Sequence, residues 1–392
     1  MTRRVVVAGG GMGGLAAAVA CTRAGWQAKV YDQAREFSEV GAGIQLGPNT
    51  TRILVGWDLE PALLDVAARP QLLRARSAHN GWELGRMALG ADFARRYGAP
   101  YLTVHRADLH AVLEAGARRV GVDPQLASRI TSVTPGPNSV RVGVANSRYD
   151  ECDVLVGADG LWSEIRSQIL RDGAPQPTGH LAYRTLAVQA DLPAGLRSQD
   201  VTVWLGPRMH VVAYPVRAGE LLNVVAIVQG SVEGPAQDWD QAGAVADLLA
   251  AMGPLCQPLQ ELVRAMPSWR LWALQDRPPV QSANEMASGR VALLGDAAHP
   301  MRPYLAQGAG MAIEDASELG HALATVADTE GDVVAALRGY ALNRWERCAR
   351  VQARSRRNGR IFHATGFMRW GRDLSLRLLG ERLLDQPWLY QR

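Results

Sequence analysis

Three glycines near the start of the chain constrain its fold more than anything that follows. Val5, Val6, Val7 and Ala8 form a wholly apolar run, the pattern of a strand buried on both faces. Gly9, Gly11 and Gly14 then give G-x-G-x-x-G. Met12 to Ala24 has helical character, Gly25 stops it, and a second strand, Ala28 to Tyr31, ends on Asp32. Strand, glycine turn, helix, strand and acid is the order that makes this short motif specific for a dinucleotide. Gly9 permits a tight turn, Gly11 lets the backbone approach a pyrophosphate, and Gly14 lets helix and strand pack closely. The helix opens at Met12 and Gly13 with its unpaired amides and positive end towards the phosphates. Asp32, near the usual spacing of about 20 residues, can accept hydrogen bonds from a ribose. The motif alone does not separate NAD from FAD.

At 392 residues the chain exceeds one simple core, so more than one domain is expected. With 47% hydrophobic and 20% charged residues it has the composition of a soluble globular protein. Lys29 is the single lysine, so the net charge of +4 rests on arginine, which argues little for a nucleic-acid partner. Cys21, Cys152, Cys256 and Cys348 are scattered, without the spacing of a zinc site or a disulfide framework. No metal is expected. The N-terminus runs straight into a core strand and no apolar run is long enough for a bilayer, so a cytoplasmic protein without a membrane span is expected.

Along the chain, Val40 to Asn49 (VGAGIQLGPN) suggests a loop able to lie along a cofactor, with Asn49 capping a helix. Residues 76 to 97 suggest a hairpin excursion. Leu102 to Leu113 is a strand end followed by a helix, with Arg106 at the junction, placed to pair with phosphate. Asp153 to Gly160 (DVLVGADG) and Gly289 to Asp296 (GRVALLGD) are two further buried strands that end in an acidic turn. Between them, Thr185 to Gln189, Val201 to Leu205, His210 to Val216 and Leu221 to Gln229 alternate with Gly/Pro turns, the pattern of an antiparallel sheet. Helices are expected near 240–252, 255–266, 311–327 and 332–357. The last presents Arg344, Arg347, Arg350, Arg354, Arg356 and Arg357 as a solvated face over buried Trp345 and Val351. Phe362, Phe367, Trp370, Leu374, Leu378 and Trp388 suggest a packed tail or a dimer contact, in a monomer or homodimer.

The three strand-turn elements, in this order and spacing, resemble the single-component FAD-dependent aromatic hydroxylases typified by p-hydroxybenzoate hydroxylase. GAGIQLGPN, YGAPYLTVHRADL and His210-x-x-x-Tyr214-Pro215 place the chain nearest the salicylate, 3-hydroxybenzoate and 6-hydroxynicotinate hydroxylases. The resemblance implies an α/β fold: a Rossmann-type FAD-binding domain (1–75, 98–175 and 283–360), an inserted antiparallel-sheet substrate domain (76–97 and 176–282) and C-terminal helices (361–392). It implies adenosine on the first motif, the ribityl and pyrophosphate region on Asp296 with Arg106, and the flavin over Gly308 and Ala309. Asp159 would serve both FAD and a transient NADH or NADPH. Two departures, Ala306-Gln307-Gly308 for the usual Gly-Gln-Gly and tyrosine at position 304, leave the exact substrate open.

The implied cycle is reduction of FAD by NAD(P)H, activation of O2 and transfer of a hydroxyl, possible with or without decarboxylation, to a hydroxylated aromatic or N-heteroaromatic acid. A phenol with a pKa near 10 needs a base or donor network to ionise at neutral pH. His210 and Tyr214 are the candidates. They share one strand face with backbones about 13 Å apart. Tyr304 is a third catalytic candidate and Gln45 a weaker substrate contact. A substrate carboxylate calls for an arginine, for which Arg184, Arg208 and Arg302 are equally suitable from sequence. The competing readings are a related FAD oxidoreductase acting on a non-acidic, urate-like ring or without oxygen insertion, and a non-enzymatic flavin-binding or arginine-rich binding protein.

Overall fold

The computed structural model describes residues 3–37, 42–145, 148–231, 241–327 and 331–391. Val40 and Gly41 of the expected cofactor loop lie outside them. The apolar run Arg4–Ala8 is the inner strand of a five-stranded sheet, flanked by Gln27–Tyr31 and Val154–Gly157. Val291–Leu293 lies beyond Val154–Gly157, and these four strands run parallel. Ala8 pairs with Gly157, which in turn pairs with Leu293. The glycine turn and the two acidic turns therefore leave the sheet side by side at its carboxyl edge. Hydrogen bonding continues into each turn: Gly9 N donates to Tyr31 O, Ala158 N to Ala8 O, and Leu294 N to Gly157 O, at 2.8, 2.8 and 3.0 Å.

The second layer is an eight-stranded sheet in the order 241–243, 269–276, 176–188, 221–229, 209–216, 201–206, 72–77, 83–88. It is antiparallel except where Val201–Gly206 runs parallel to Leu72–Ser77. Gly43–Leu46, expected as loop, is a strand paired with Leu102–His105. Its isolated run of four residues between glycines carries too little alternation to announce a strand. Gly43 is crowded by the Tyr214 ring, where a Cβ would lie 2.4 Å from Cε2.

Helix Met12–Arg23 packs against Gly308–Ala324 so closely that a Cβ on Gly320 would sit 2.9 Å from the Ala20 Cβ. Helix Val333–Phe362, capped by the Asp332 carboxylate on Val334 N and Ala335 N, corrects the expectation of a solvated arginine face. Arg344 is buried, donating to Asp315 Oδ1 at 2.7 Å and Glu314 Oε2 at 2.8 Å. Arg347 joins Glu314, and Arg356 reaches Asp276. The acids that draw these arginines inward lie far away in sequence, which is why the helix looked solvated. In the C-terminal segment, Phe367, Trp370, Leu374 and Leu378 of helix Gly366–Leu379 are exposed rather than packed. No helix among the described residues is long and apolar enough to cross a membrane.

Burial pushes the Asp315 carboxyl upward, but His299 and Arg344 outweigh it and hold it down at about 2. A depressed carboxylate contributes stability that is complete above its unfolded pKa and lost as pH falls through the folded one. Urea midpoints should therefore fall between about pH 4 and pH 2. Arg344→Met, which removes from buried Asp315 and Glu314 the guanidinium that they share, should cost about 3–5 kcal/mol at pH 7. A urea midpoint within experimental error of the parent would refute that role.

Candidate active site

The glycines divide by what surrounds them. Gly9 has φ +104°, and a Cβ there would lie 2.4 Å from Ala158 O. At Gly14 a Cβ would meet Gly9 O at 1.9 Å. These two are demanded by the protein's own packing. Around Gly11, Gly160 and Gly308, by contrast, a Cβ would meet no protein atom within 4 Å. All three border one cavity of about 370 Å³, which runs from the carboxyl edge of the parallel sheet to the face of the antiparallel one. Backbone amides with open space before them are what a phosphate or a flavin edge needs.

At the glycine-turn end, Gly11, Met12 and Gly13 line the cavity at the start of their helix. Asp32 accepts from Gly10 N at 2.6 Å and from Ala34 N at 2.7 Å. Those bonds fix its carboxylate at the end of the second strand with lone pairs remaining. Arg106 opens the helix Arg106–Arg119, with its amide bonded to Ala42 O at 2.8 Å, and lines the cavity together with Asp296. Asp296 is exposed to the cavity but walled in by protein. That enclosure raises its carboxyl above the ordinary range, while His299 and Arg106 act in the other direction. Gly308, Ala309 and Ala312 bring the first turns of helix Gly308–Ala324 to the wall. Ala306 lines it in the left-handed region, φ +52°, where the glycine of the usual motif would be unstrained.

Asp159 is placed differently from its neighbours. Its carboxylate accepts from Ser163 Oγ, Glu164 N and Ile165 N at 2.5, 2.8 and 3.1 Å, capping its own helix. Burial raises it above the ordinary range despite those donors. Ala158 and Gly160, rather than Asp159, border the cavity.

At the other end the antiparallel sheet supplies side chains. His210 and Tyr214 both line the cavity from strand Met209–Val216, on one face as their spacing requires. Gln45 lies beside them and accepts from Tyr101 Oη at 2.6 Å. Burial raises the Tyr214 hydroxyl, opposed by its bond to Gln45, so it stays a neutral donor. Tyr304 is buried behind His210, its ring 5.2 Å away, and does not border the cavity. The three arginines separate cleanly. Arg184, 4% exposed, lines the cavity with its guanidinium 4.8 Å above the Trp272 ring. Arg302 donates to Asp276 Oδ2 at 2.7 Å, leaving Met301 and Pro303 to form the wall, and Arg208 is exposed on a turn.

Sequence reasoning missed His363, whose Nε2 lies 2.8 Å from His210 Nδ1. It belongs to a segment with no local motif, and nothing short of the fold brings it near. It also missed Asp315, for which the two acids inside the apolar run Met311–Ala316 were a usable signal. Asp315, His299 and Cys348 cluster within 4.8 Å, but Arg344 already occupies Asp315 and its charge opposes a cation there.

Residues 2–355 match the family described as FAD binding domain. The chain belongs to this FAD-binding family. It is 37% identical over 389 residues to the 3-hydroxybenzoate 6-hydroxylase of Polaromonas naphthalenivorans (strain CJ2), covering 98% of this chain and 95% of that one. Its fold superposes with a TM-score of 0.85 and 25% identity on Klebsiella pneumoniae HpxO complexed with FAD and uric acid, covering 97% and 94%. A salicylate hydroxylase substrate complex gives 0.84 and 26%, covering 99% and 95%. This flavoprotein is thus a monooxygenase with FAD as cofactor and NAD(P)H as reductant. The open glycine amides, Arg106 and the two helix N-termini on the cavity fit that cofactor.

Two glycine substitutions should separate fold from cofactor. Gly11→Val should leave urea stability within about 0.5 kcal/mol of the parent and weaken FAD binding on the order of tenfold or more by filling the phosphate approach. Gly14→Ala should destabilise the apoprotein by about 1–3 kcal/mol. Flavin fluorescence titration and urea melts check both, and equal behaviour of the two variants would contradict this division.

Proposed function

We propose that this monooxygenase hydroxylates a hydroxylated aromatic or N-heteroaromatic acid, with Arg184 binding the carboxylate and His210 receiving the proton of the ring hydroxyl. The observation that carries the reading is a buried arginine in the same cavity as a buried neutral histidine, across from the amides suited to the cofactor. A guanidinium held over Trp272 in a low-dielectric cavity favours a planar carboxylate far more than a neutral ring. Burial holds His210 well below the ordinary histidine range, so it is unprotonated at neutral pH, and the cation formed when it takes the proton is offset by the phenolate beside it. Tyr214 and Gln45 offer a donor and an amide to the same ring.

On this reading Gly11, Met12, Gly13 and Asp32 hold the adenosine half on a turn whose close packing Gly9 and Gly14 permit, Arg106 and Asp296 hold the middle, and Gly308 and Ala309 the flavin edge. FAD held by these residues would supply the activated oxygen, with NADH or NADPH as the source of electrons. The antiparallel sheet orients the acid, and the apolar walls formed by Val212, Val225 and Ile227 exclude water from the reacting ring. The segments expected as 1–75, 98–175 and 283–360 form the cofactor part and 76–97 with 176–282 the ring-binding part, with the first boundary moved ahead of strand Leu72–Ser77, which belongs to the eight-stranded sheet.

The test is NADH and NADPH oxidation by the FAD-loaded protein with 3-hydroxybenzoate, salicylate, 6-hydroxynicotinate and uric acid, with product masses from the same reactions. An acid that stimulates oxidation and yields a product one oxygen heavier, or with carboxyl replaced by hydroxyl, supports the reading. Stimulation by uric acid and by none of the acids overturns it. Arg184→Met should raise the KM for the acid about tenfold to a hundredfold, the loss of one charge-assisted bond of about 1.5–3 kcal/mol. His210→Gln should lower kcat by about 10²–10⁴ with a much smaller change in KM.

A further inference from the structure

His210 does not stand alone behind the ring cavity. Its Nδ1 lies 2.8 Å from Nε2 of His363, and both rings are buried. His210 is held on a strand paired on both sides, by Val201–Gly206 and Leu221–Gln229. His363 follows the last turn of helix Val333–Phe362 as its C-cap, and its carbonyl accepts from Arg208 N at 3.0 Å. That backbone bond sits two residues from His210, so the strand and the helix end set the two rings in register. With Nδ1 turned to His363, Nε2 is the ring nitrogen of His210 left for the cavity.

Several groups face His363. His210 comes from its strand, His180 from strand Gln176–Val188 with rings 5.0 Å apart, and Tyr304 from the flavin-facing loop at 5.6 Å. Arg372 comes from helix Gly366–Leu379, paired with Asp373, and the Arg302–Asp276 pair lies beyond His180. Among the described residues no carboxylate bonds to His363. Burial, His180 and Arg372 hold it down at about 3, so it is neutral at any working pH.

We propose that His363 is a positioning residue: it accepts the Nδ1–H of His210 and so keeps His210 Nε2 as the base for a bound ring hydroxyl. This rests on the reading of His210 and the phenolic acid given above. In the step, the substrate O–H bond breaks, its proton bonds to His210 Nε2, and the electron pair stays on oxygen as phenolate. His210 becomes an imidazolium whose Nδ1–H remains bonded to His363, and no proton moves onto His363. A neutral partner has a consequence that a carboxylate would not. A carboxylate would hold His210 protonated before substrate arrived, whereas His363 supports the cation only once the phenolate is there to compensate it. With the opposite tautomer, His363 donating, the proton would sit on His210 Nε2 and the base would be lost.

The experiment compares the FAD-loaded parent with His363→Leu and His363→Gln, the glutamine keeping an acceptor. In ¹⁵N-histidine spectra, His210 Nδ1 should be protonated and Nε2 unprotonated in the parent and the glutamine variant. An unprotonated Nδ1 in the parent overturns the proposal whatever the substrate. With 3-hydroxybenzoate as probe, the pH midpoint for phenolate absorbance of the bound ring should rise by about one unit in His363→Leu. At neutral pH kcat should fall about tenfold with KM within about twofold, and glutamine should recover most of both. An unchanged midpoint in His363→Leu, or equal impairment in both variants, overturns it. If 3-hydroxybenzoate neither binds nor stimulates the parent, the substrate reading fails and the nitrogen spectra still decide the role of His363.

Discussion

The site depends on the register of a parallel sheet. Because Ala8, Gly157 and Leu293 are paired neighbours, three turns separated by well over a hundred residues leave the sheet at one edge. Parallel strands bring the same chain end to the same edge, and helices that follow such turns aim their N-termini at a common point. Each turn then lines one cavity, with open backbone at Gly11 and Gly160 and with the Gly295–Asp296 step beside them. Side chains could not replace those amides without filling the space that they face.

The antiparallel sheet supplies what the parallel sheet cannot. Its strands alternate side chains between faces, so one face can present His210, Val212 and Tyr214 to the cavity while the other packs on Leu248, Leu259 and Leu262. Arg184, stacked over Trp272, and His210 both reach the cavity from this sheet. The buried network of Asp315, Arg344, Glu314 and Arg347 is a different case. Its charges neutralise one another, tie helix Gly308–Ala324 to the long C-terminal helix, and reach Gln307 through Asn49 and the chain end through Leu389 O.

Much of the cofactor end was legible in the chain. The three strand-turn elements, Arg106 at a strand-helix junction and the pairing of His210 with Tyr214 on one strand face are all local patterns, and local patterns survive without knowledge of the fold. The ring end was legible as residue types but not as an arrangement. Arg184, Arg208 and Arg302 look alike in sequence, and only burial, Asp276 and an exposed turn distinguish them. Asp159, read as a cofactor carboxylate, is engaged by its own helix cap, which the same GADGLWSE stretch also encodes through Ser163. The strand Gly43–Leu46 and the burial of Arg344 were hidden because each depends on a partner far along the chain.

By itself, then, the sequence determined that a dinucleotide is held on glycine backbone at the head of a parallel sheet, because φ freedom, helix starts and apolar runs are properties of a few consecutive residues. Tertiary structure alone decided which arginine borders the cavity and which histidine stands behind His210. Those choices are made by distance across strands and helices that are remote in the chain, as between His210 and His363, and no periodicity along the chain encodes such a distance.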